Sequence, residues 1–112
     1  MYVDDCVEGL VRLMASGYSE PLNLGNDRLI SINGLVDLIS GIARKRLEKK
    51  HDLSKPQGVR GRNSDNTRLS EVLGWAPAIT LETGLEVTYK WIEAELRKAG
   101  RIPLTYAAQT GD

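Results

Sequence analysis

The stretch TRLSEVLGWAPAITLETGL, residues 67–85, contains one complete short helix and the start of a longer one. The short helix begins near Thr67, carries apolar residues at helical spacing and ends naturally at Gly74. Pro77 prevents this helix from resuming, and Thr80 is a good N-cap for the next helix, which has the strongest apolar stripe in the chain. The stretch therefore predicts two helices joined by a short connection.

Two further helices are predicted on the N-terminal side of this stretch. The first is capped by Asp5 or its acidic neighbour, has Glu8 in the position of a capping box, and ends at Gly17. The second is capped by Ser31 and keeps a buried-stripe pattern as far as Leu47. Lysine and arginine residues at its end suit the negative pole of the helix dipole.

Residues 21–25 predict a short strand that ends at a glycine turn. One strand cannot form a sheet by itself, so we expect residues 22–25 to pair with something outside the chain. The predicted fold is an α-rich α/β lobe of about four helices and one or two short strands, covering residues 1–101. Residues 102–112 have no apolar period and are expected to form a flexible tail.

Composition restricts the possible classes of protein. The formal net charge is zero, which argues against a nucleic-acid-binding domain, although residues 41–70 carry nine bases and three acids. No apolar run approaches the roughly 20 residues that a membrane span needs. Cys6 is the only cysteine and His51 the only histidine, so no disulfide within the chain and no metal site is expected. We expect a cytoplasmic protein that contacts neither membranes nor nucleic acid.

The glycine-rich basic loop at residues 58–65 is the main candidate for binding chemistry. Arg60 and Arg62 flank Gly61, and guanidinium groups form paired hydrogen bonds with phosphate oxygens. Gly61 would let the backbone approach a ligand closely. Asp65 either orients one arginine from behind or starts the next helix. The spacing alone fits a phosphate site and a solvated basic loop equally.

A second candidate is the turn at residues 23–27, where Asn23 and Gly25 follow the predicted strand. Such a turn either faces a ligand or is only a local backbone feature, which is the commoner case. Cys6 lies on an apolar helical stripe and is expected to behave as a small hydrophobic residue. His51 is expected at the surface. The residues themselves indicate no catalytic group.

The order of several short motifs resembles that of extended short-chain dehydrogenase/reductases, the NAD-dependent epimerases and dehydratases of nucleotide sugars. Each motif is weak alone, but their order and spacing cover nearly the whole chain. The motifs lie at residues 2–9, 23–25, 31–33, 62–65, 73–77 and 81–85. Within this family, residues 58–66 and 88–92 are most similar to the GDP-mannose 3,5-epimerases.

The resemblance implies that this chain is the smaller, C-terminal, substrate-binding lobe of a two-lobed enzyme, without the Rossmann lobe that holds NAD. It also implies that NAD oxidises the sugar at C4 and that the proton-exchanging Cys and Lys lie in the absent lobe, so Cys6 is not catalytic. Arg60 and Arg62 would bind the diphosphate of a GDP-mannose-type nucleotide sugar weakly, or hold the loop that binds it. Asn23 and Gly25 would lie near the seam between the lobes.

Loss of the other lobe would expose an apolar seam on this chain. The residues expected there are Tyr2, Val3, Leu22, Leu24 and part of the helix at 6–14. We expect a homodimer that covers this seam, whereas a monomer with residues 102–108 folded over it is the competing outcome. In place of an enzyme fragment, the chain could be a stand-alone, non-catalytic binding or interaction module derived from the same fold.

We predict that the 112-residue chain alone neither binds NAD nor epimerises a sugar. The reason is that its sequence has no glycine-rich turn between a strand and a helix, where dinucleotides bind. Calorimetric titration with NAD should give no saturable heat, and an assay with GDP-mannose should show no turnover. Saturable binding at micromolar NAD would contradict the prediction.

Overall fold

Over residues 1–102, the part of the chain that the structure describes, the computed structural model contains four α-helices. These are α1 (Val3–Ser16), α2 (Ile32–Ala43), α3 (Thr67–Leu73) and α4 (Leu81–Lys98). Helix α1 packs against α3, and α2 packs against α4. The prediction of four helices is confirmed, whereas the predicted tail lies outside the described residues from position 103 onwards.

Several helix ends are formed by the residues that the sequence indicated. The hydroxyls of Ser31 and Thr80 each accept a hydrogen bond from the backbone N–H three positions later, at 3.0 and 3.2 Å. Gly17 and Gly74 end α1 and α3 in the left-handed conformation, with φ of 69° and 59°. That conformation strains any residue with a β-carbon, which is why glycine is preferred there.

The predicted N-cap of α1 is wrong. The helix begins at Val3, so Asp5 lies within its first turn, and no side chain caps the helix. The carboxylate of Asp5 instead accepts a hydrogen bond of 2.8 Å from the backbone N–H of Ile79, and Asp5 is only 7% exposed. Because a buried carboxylate needs a donor, this bond with a distant N–H replaces the local cap. It also ties α1 to the connection before α4.

Helix α2 ends at Ala43, before the predicted limit near Leu47. Arg44 adopts the left-handed conformation with φ of 52°, which turns the chain away from the helix axis. The N–H of Lys45 donates to the carbonyl of Ser40 at 3.0 Å, and the Ser40 hydroxyl donates to the carbonyl of Lys45. These bonds close the helix early, so the run of cations lies mostly in the following loop.

The predicted strand at residues 21–25 is not formed, and no β-strand is present among residues 1–102. A strand exists only beside a neighbour that completes its hydrogen bonds, and the described residues supply none. The Gly25 carbonyl accepts a bond from the side chain of Asn66, and the Asn26 carbonyl accepts one from the N–H of Ser64, both 2.9 Å long. Pairing with something outside the chain stays a prediction.

The apolar core is thin, and close backbone packing replaces part of it. Leu69 of α3, 1% exposed, is the one hydrophobic side chain of the described range that is buried. At Gly9 an added β-carbon would lie 2.7 Å from the side chain of Leu24, and at Gly84 it would lie 3.0 Å from the ring of Tyr2. These contacts leave Leu24 and Tyr2 half-buried within the chain, so neither is a fully exposed seam residue.

We predict that Asp5→Ala lowers the free energy of unfolding by about 1–3 kcal/mol, because the partly buried N–H of Ile79 would lose its acceptor. Asp5→Asn should cost less, since its amide oxygen can still accept the bond. Asp4→Ala, at the exposed neighbouring position of the same helical turn, is the matched control. Urea unfolding followed by circular dichroism would measure all three; equal losses for the two alanine variants would contradict the assignment.

Candidate functional site

A cavity of about 570 Å³ opens where the loops meet Met1 and Tyr2, just before α1, and the N-terminal half of α4. Residues 23–30 form one wall and residues 62–64 another, while the start of α4 closes the base. The polar residues that line it are Asn23, Asn26, Arg28, Arg62, Asn63, Ser64, Thr80 and Thr88. The volume is in the range of cavities that hold small molecules.

Three hydrogen bonds hold the two loop walls together. The side chain of Asn66 donates to the Gly25 carbonyl at 2.9 Å, and the N–H of Ser64 donates to the Asn26 carbonyl at the same distance. The side chain of Asn63 donates to the carbonyl of Asp27 at 3.0 Å. We call these bonds the loop clamp. It fixes the backbone immediately after Arg62 against the turn at 25–27.

Gly25 is required for the loop clamp for a steric reason. A β-carbon at this position would lie 2.7 Å from the β-carbon of Ser64, closer than such carbons approach in proteins. The glycine therefore serves the contact between the two walls, in addition to lining the cavity.

Arg28 and Glu82 form an ion pair at the rim of the cavity. One guanidinium nitrogen of Arg28 lies 2.7 and 2.9 Å from the two carboxylate oxygens of Glu82, in the first turn of α4. The hydrogen bond from Arg28 lowers the pKa of Glu82 below its ordinary value. Sequence analysis missed both residues, because they are 54 positions apart and no local motif connects them.

The structure brings together three of the five site residues predicted from the sequence. Asn23, Gly25 and Arg62 line the same cavity. Arg60 and Gly61 do not line it; Arg60 is exposed, and the backbone at Gly61 lies against the side chain of Leu29, which an added β-carbon would meet at 3.2 Å. Asn63 and Ser64 also line the cavity, although the sequence gave them no separate role.

Asp65 lies two residues before α3 and forms the turn that leads into it, which is close to the interpretation in which it starts the helix. Its carboxylate accepts hydrogen bonds from the hydroxyl and the N–H of Thr67, at 2.7 and 3.0 Å. The bond from the Thr67 hydroxyl, followed by the one from its N–H, lowers the pKa of Asp65. The carboxylate is therefore used in the turn, and no contact with an arginine is found among the described residues.

Arg62 is the side chain of the cavity best suited to an anionic ligand. It is exposed, and within residues 1–102 no carboxylate or hydrogen-bond acceptor is paired with it. The other guanidinium group of the cavity, on Arg28, is compensated by Glu82. The net charge offered to a ligand therefore comes from Arg62, and the nearby asparagines add neutral hydrogen-bonding groups.

The remaining candidate groups lie outside the cavity. Cys6 is half-buried on α1, and His51 is exposed, with its Nε2 atom 3.0 Å from the side-chain oxygen of Asn33. In the described part of the chain, His, Cys, Asp and Glu residues do not gather in a group of three that could hold a metal ion. None of the helices described above has both the length and the apolar character needed to cross a membrane.

Comparison with known proteins identifies relatives of this chain. No family model matches it. It is 43% identical over 97 residues to GDP-mannose 3,5-epimerase of Arabidopsis thaliana, covering 87% of this chain and 26% of that protein. GDP-mannose 3,5-epimerase 1 of Oryza sativa subsp. japonica is 44% identical over 97 residues, which is 87% of this chain and 25% of the relative. UDP-glucuronic acid decarboxylase 6 of Arabidopsis thaliana is 36% identical over 84 residues, with 75% and 24% covered.

The chain belongs to the extended short-chain dehydrogenase/reductase family. This confirms the resemblance seen in the sequence, including its particular likeness to the GDP-mannose 3,5-epimerases. The chain spans about a quarter of the length of the curated epimerases it matches. In this extended short-chain dehydrogenase/reductase segment, the cavity at Arg62 is therefore a candidate for part of a larger site.

We predict that Arg28→Ala raises the pKa of Glu82 and leaves the pKa of Glu86 unchanged. Glu86 lies in the same helix, and a hydrogen bond from Lys90, not Arg28, lowers its pKa. Because the folded-state pKa of Glu82 is below its unfolded value, the pair stabilises the fold above the ordinary glutamate pKa and is lost as the pH falls through the folded value. Carbon-detected NMR titration of the carboxyl groups would measure both; a shift of Glu86 alone would contradict the assignment.

Proposed function

We propose that this chain is a substrate-binding segment of a nucleotide-sugar epimerase of the GDP-mannose 3,5-epimerase type and holds the diphosphate of a GDP-sugar in the cavity at Arg62. The observation that carries the proposal is a guanidinium group without a partner among residues 1–102, at a cavity of about 570 Å³, in a chain 43% identical over 97 residues to a GDP-mannose 3,5-epimerase. Arginine suits this role because its planar donors match two phosphate oxygens at once.

The neighbouring residues of the cavity would position the ligand. Asn23 lies on the opposite wall from Arg62 and could donate to or accept from a ribose or sugar hydroxyl. Arg28 is held at the rim by Glu82, which neutralises it, so it would offer N–H donors near the diphosphate but no net charge. The loop clamp sets the distance between the two walls, so it determines the length of ligand that can span them.

The chain does not itself offer a site for NAD. The residues that would cradle the dinucleotide, a glycine-rich turn between a strand and a helix, are missing from the sequence, so no chemical step is assigned to this chain. We propose that oxidation and proton exchange belong to a Rossmann lobe like that of the family and that this chain contributes binding and orientation. Activity would then require both parts, with Asn23 and Gly25 near their junction.

The proposal predicts weak but localised binding of GDP-mannose. With only part of the site present, we expect a millimolar dissociation constant, equivalent to about 4 kcal/mol. Titration followed by amide chemical shifts should perturb residues 23–28 and 61–65. Arg62→Ala should weaken binding at least tenfold, Arg60→Ala should weaken it less because Arg60 does not line the cavity, and Arg46→Ala should leave it unchanged.

The controls separate the ligand groups and the alternative site. GDP should give the same pattern of shifts and free mannose should give none, since the diphosphate supplies the charge that Arg62 recognises. Shifts centred on the basic residues 44–50, or shifts that survive Arg62→Ala, would show that the cavity is not the binding site.

A further inference from the structure

The charged side chains that line the candidate cavity are those of Arg28 and Arg62. They differ in their counter-charges. Both carboxylate oxygens of Glu82 lie within 2.9 Å of one guanidinium nitrogen of Arg28, whereas Arg62 has no acidic partner within residues 1–102. The lining therefore combines one compensated cation with one uncompensated cation.

Glu82 is the acid of the described chain that contacts a cation of the cavity lining. Asp65 turns its carboxylate to Thr67, and Asp27 does not line the cavity. The carboxylate of Glu82 lies 2.7 Å from Arg28, so it is well within a Debye length, about 10 Å at 0.1 M salt, of a ligand bound beside that arginine. Its charge therefore acts on any anion in the cavity.

We propose that Glu82 is a charge-selectivity residue of this cavity, which favours nucleotide sugars over nucleoside triphosphates. The inference rests on the proposed function, in which the cavity holds the diphosphate of a GDP-sugar, and adds what sets its preference among guanine nucleotides. The diphosphate of a GDP-sugar is esterified at both ends and carries about two negative charges, whereas GTP, with a free terminal phosphate, carries about four.

The two ligands share a nucleoside and a diphosphate, so contacts to those groups cannot separate them. A fixed negative charge at the rim can, because the Coulomb energy is proportional to the product of the charges. Glu82 cancels the charge of Arg28 and leaves the cavity with the single net charge of Arg62. Its repulsion is about twice as large for GTP as for a GDP-sugar, so the carboxylate weakens GTP binding more.

Titration of the 112-residue chain with GDP-mannose and with GTP, followed by amide chemical shifts at the cavity walls, tests the proposal. At pH 8 and about 0.1 M salt without Mg²⁺, Glu82→Gln should tighten GDP-mannose about fivefold and GTP about twenty-five-fold. Glu86→Gln is the matched control, because Glu86 lies one helical turn later on α4 and is likewise paired, with Lys90 at 2.6 Å. It should change the ratio of the two affinities by less than about twofold.

Two further variants separate the charge of Glu82 from a structural role. Arg28→Gln alone leaves the carboxylate uncompensated and should shift the ratio about fivefold the other way, towards GDP-mannose. Arg28→Gln combined with Glu82→Gln leaves the net charge of the pair at zero, so the ratio should return to within about twofold of that of the unmodified chain. At about 1 M salt, where the Debye length is roughly 3 Å, Glu82→Gln should no longer change the ratio. Circular dichroism would show whether each variant keeps its helices.

The outcomes distinguish this inference from the proposed function. A ratio that Glu82→Gln leaves unchanged, or that Glu86→Gln changes equally, would overturn the inference and leave the site at Arg62 standing. A ratio that stays shifted in the double variant would do the same, since Glu82 would then act by contacting the sugar or by positioning Arg28. If GDP-mannose gives no shifts at the cavity, or gives shifts that survive Arg62→Ala, the proposed function and this inference are both wrong.

Discussion

The loop clamp is the constraint on which the candidate site depends. Residues 23–30 and 58–66 are far apart in sequence and contain no helix, so nothing in their own conformation would hold them side by side. Two asparagine side chains and one backbone N–H perform that role, and Gly25 removes the β-carbon that would otherwise separate the walls. Arg62 and Asn23 face one cavity because these bonds fix the backbone between them.

Polar contacts also join other parts of the chain. A larger domain would join such elements through an apolar core. The carboxylate of Asp5 holds the connection before α4, and the pair of Arg28 and Glu82 holds the turn at 26–28 to the first turn of that helix. An apolar contact tolerates sliding, whereas a hydrogen bond requires a defined distance and angle. The thin core gives little apolar stabilisation, but the polar contacts define the geometry around the cavity more precisely.

The parts of the structure that sequence analysis predicted are those determined by neighbouring residues. Ser31 and Thr80 cap helices because each hydroxyl reaches an N–H three positions away, and Gly74 ends one because its own φ allows it. The early end of α2 is a missed feature with local partners, Ser40 and Lys45, but the other missed features involve distant ones. Asp5 has the sequence of a cap but bonds to Ile79, 74 positions away. An extended pattern at residues 21–25 indicates a strand only when a neighbouring strand is present.

The residues of the candidate site also fall into two groups, those that local patterns predict and those whose position depends on distant partners. Arg62 and Gly25 were recognisable because arginine beside glycine and a glycine turn are local patterns, and both line the cavity. Arg28 and Asn63 were not recognisable, since their place at the cavity depends on Glu82 and on the carbonyl of Asp27. The family resemblance was more informative than either kind of pattern, because the order of many weak motifs along a chain is improbable by chance.

The arrangement of the helices in two pairs has a consequence for motion. Helix α1 packs with α3, and α2 packs with α4, while the pairs meet mainly through loops and the contact of Tyr2 with Gly84. Such a chain should open in two cooperative units, each with its own rate of amide hydrogen exchange, before it unfolds globally. The cavity lies on the boundary between these units. A ligand bound across the boundary would slow amide hydrogen exchange in both units. Its binding could therefore be detected at backbone amides that it does not contact.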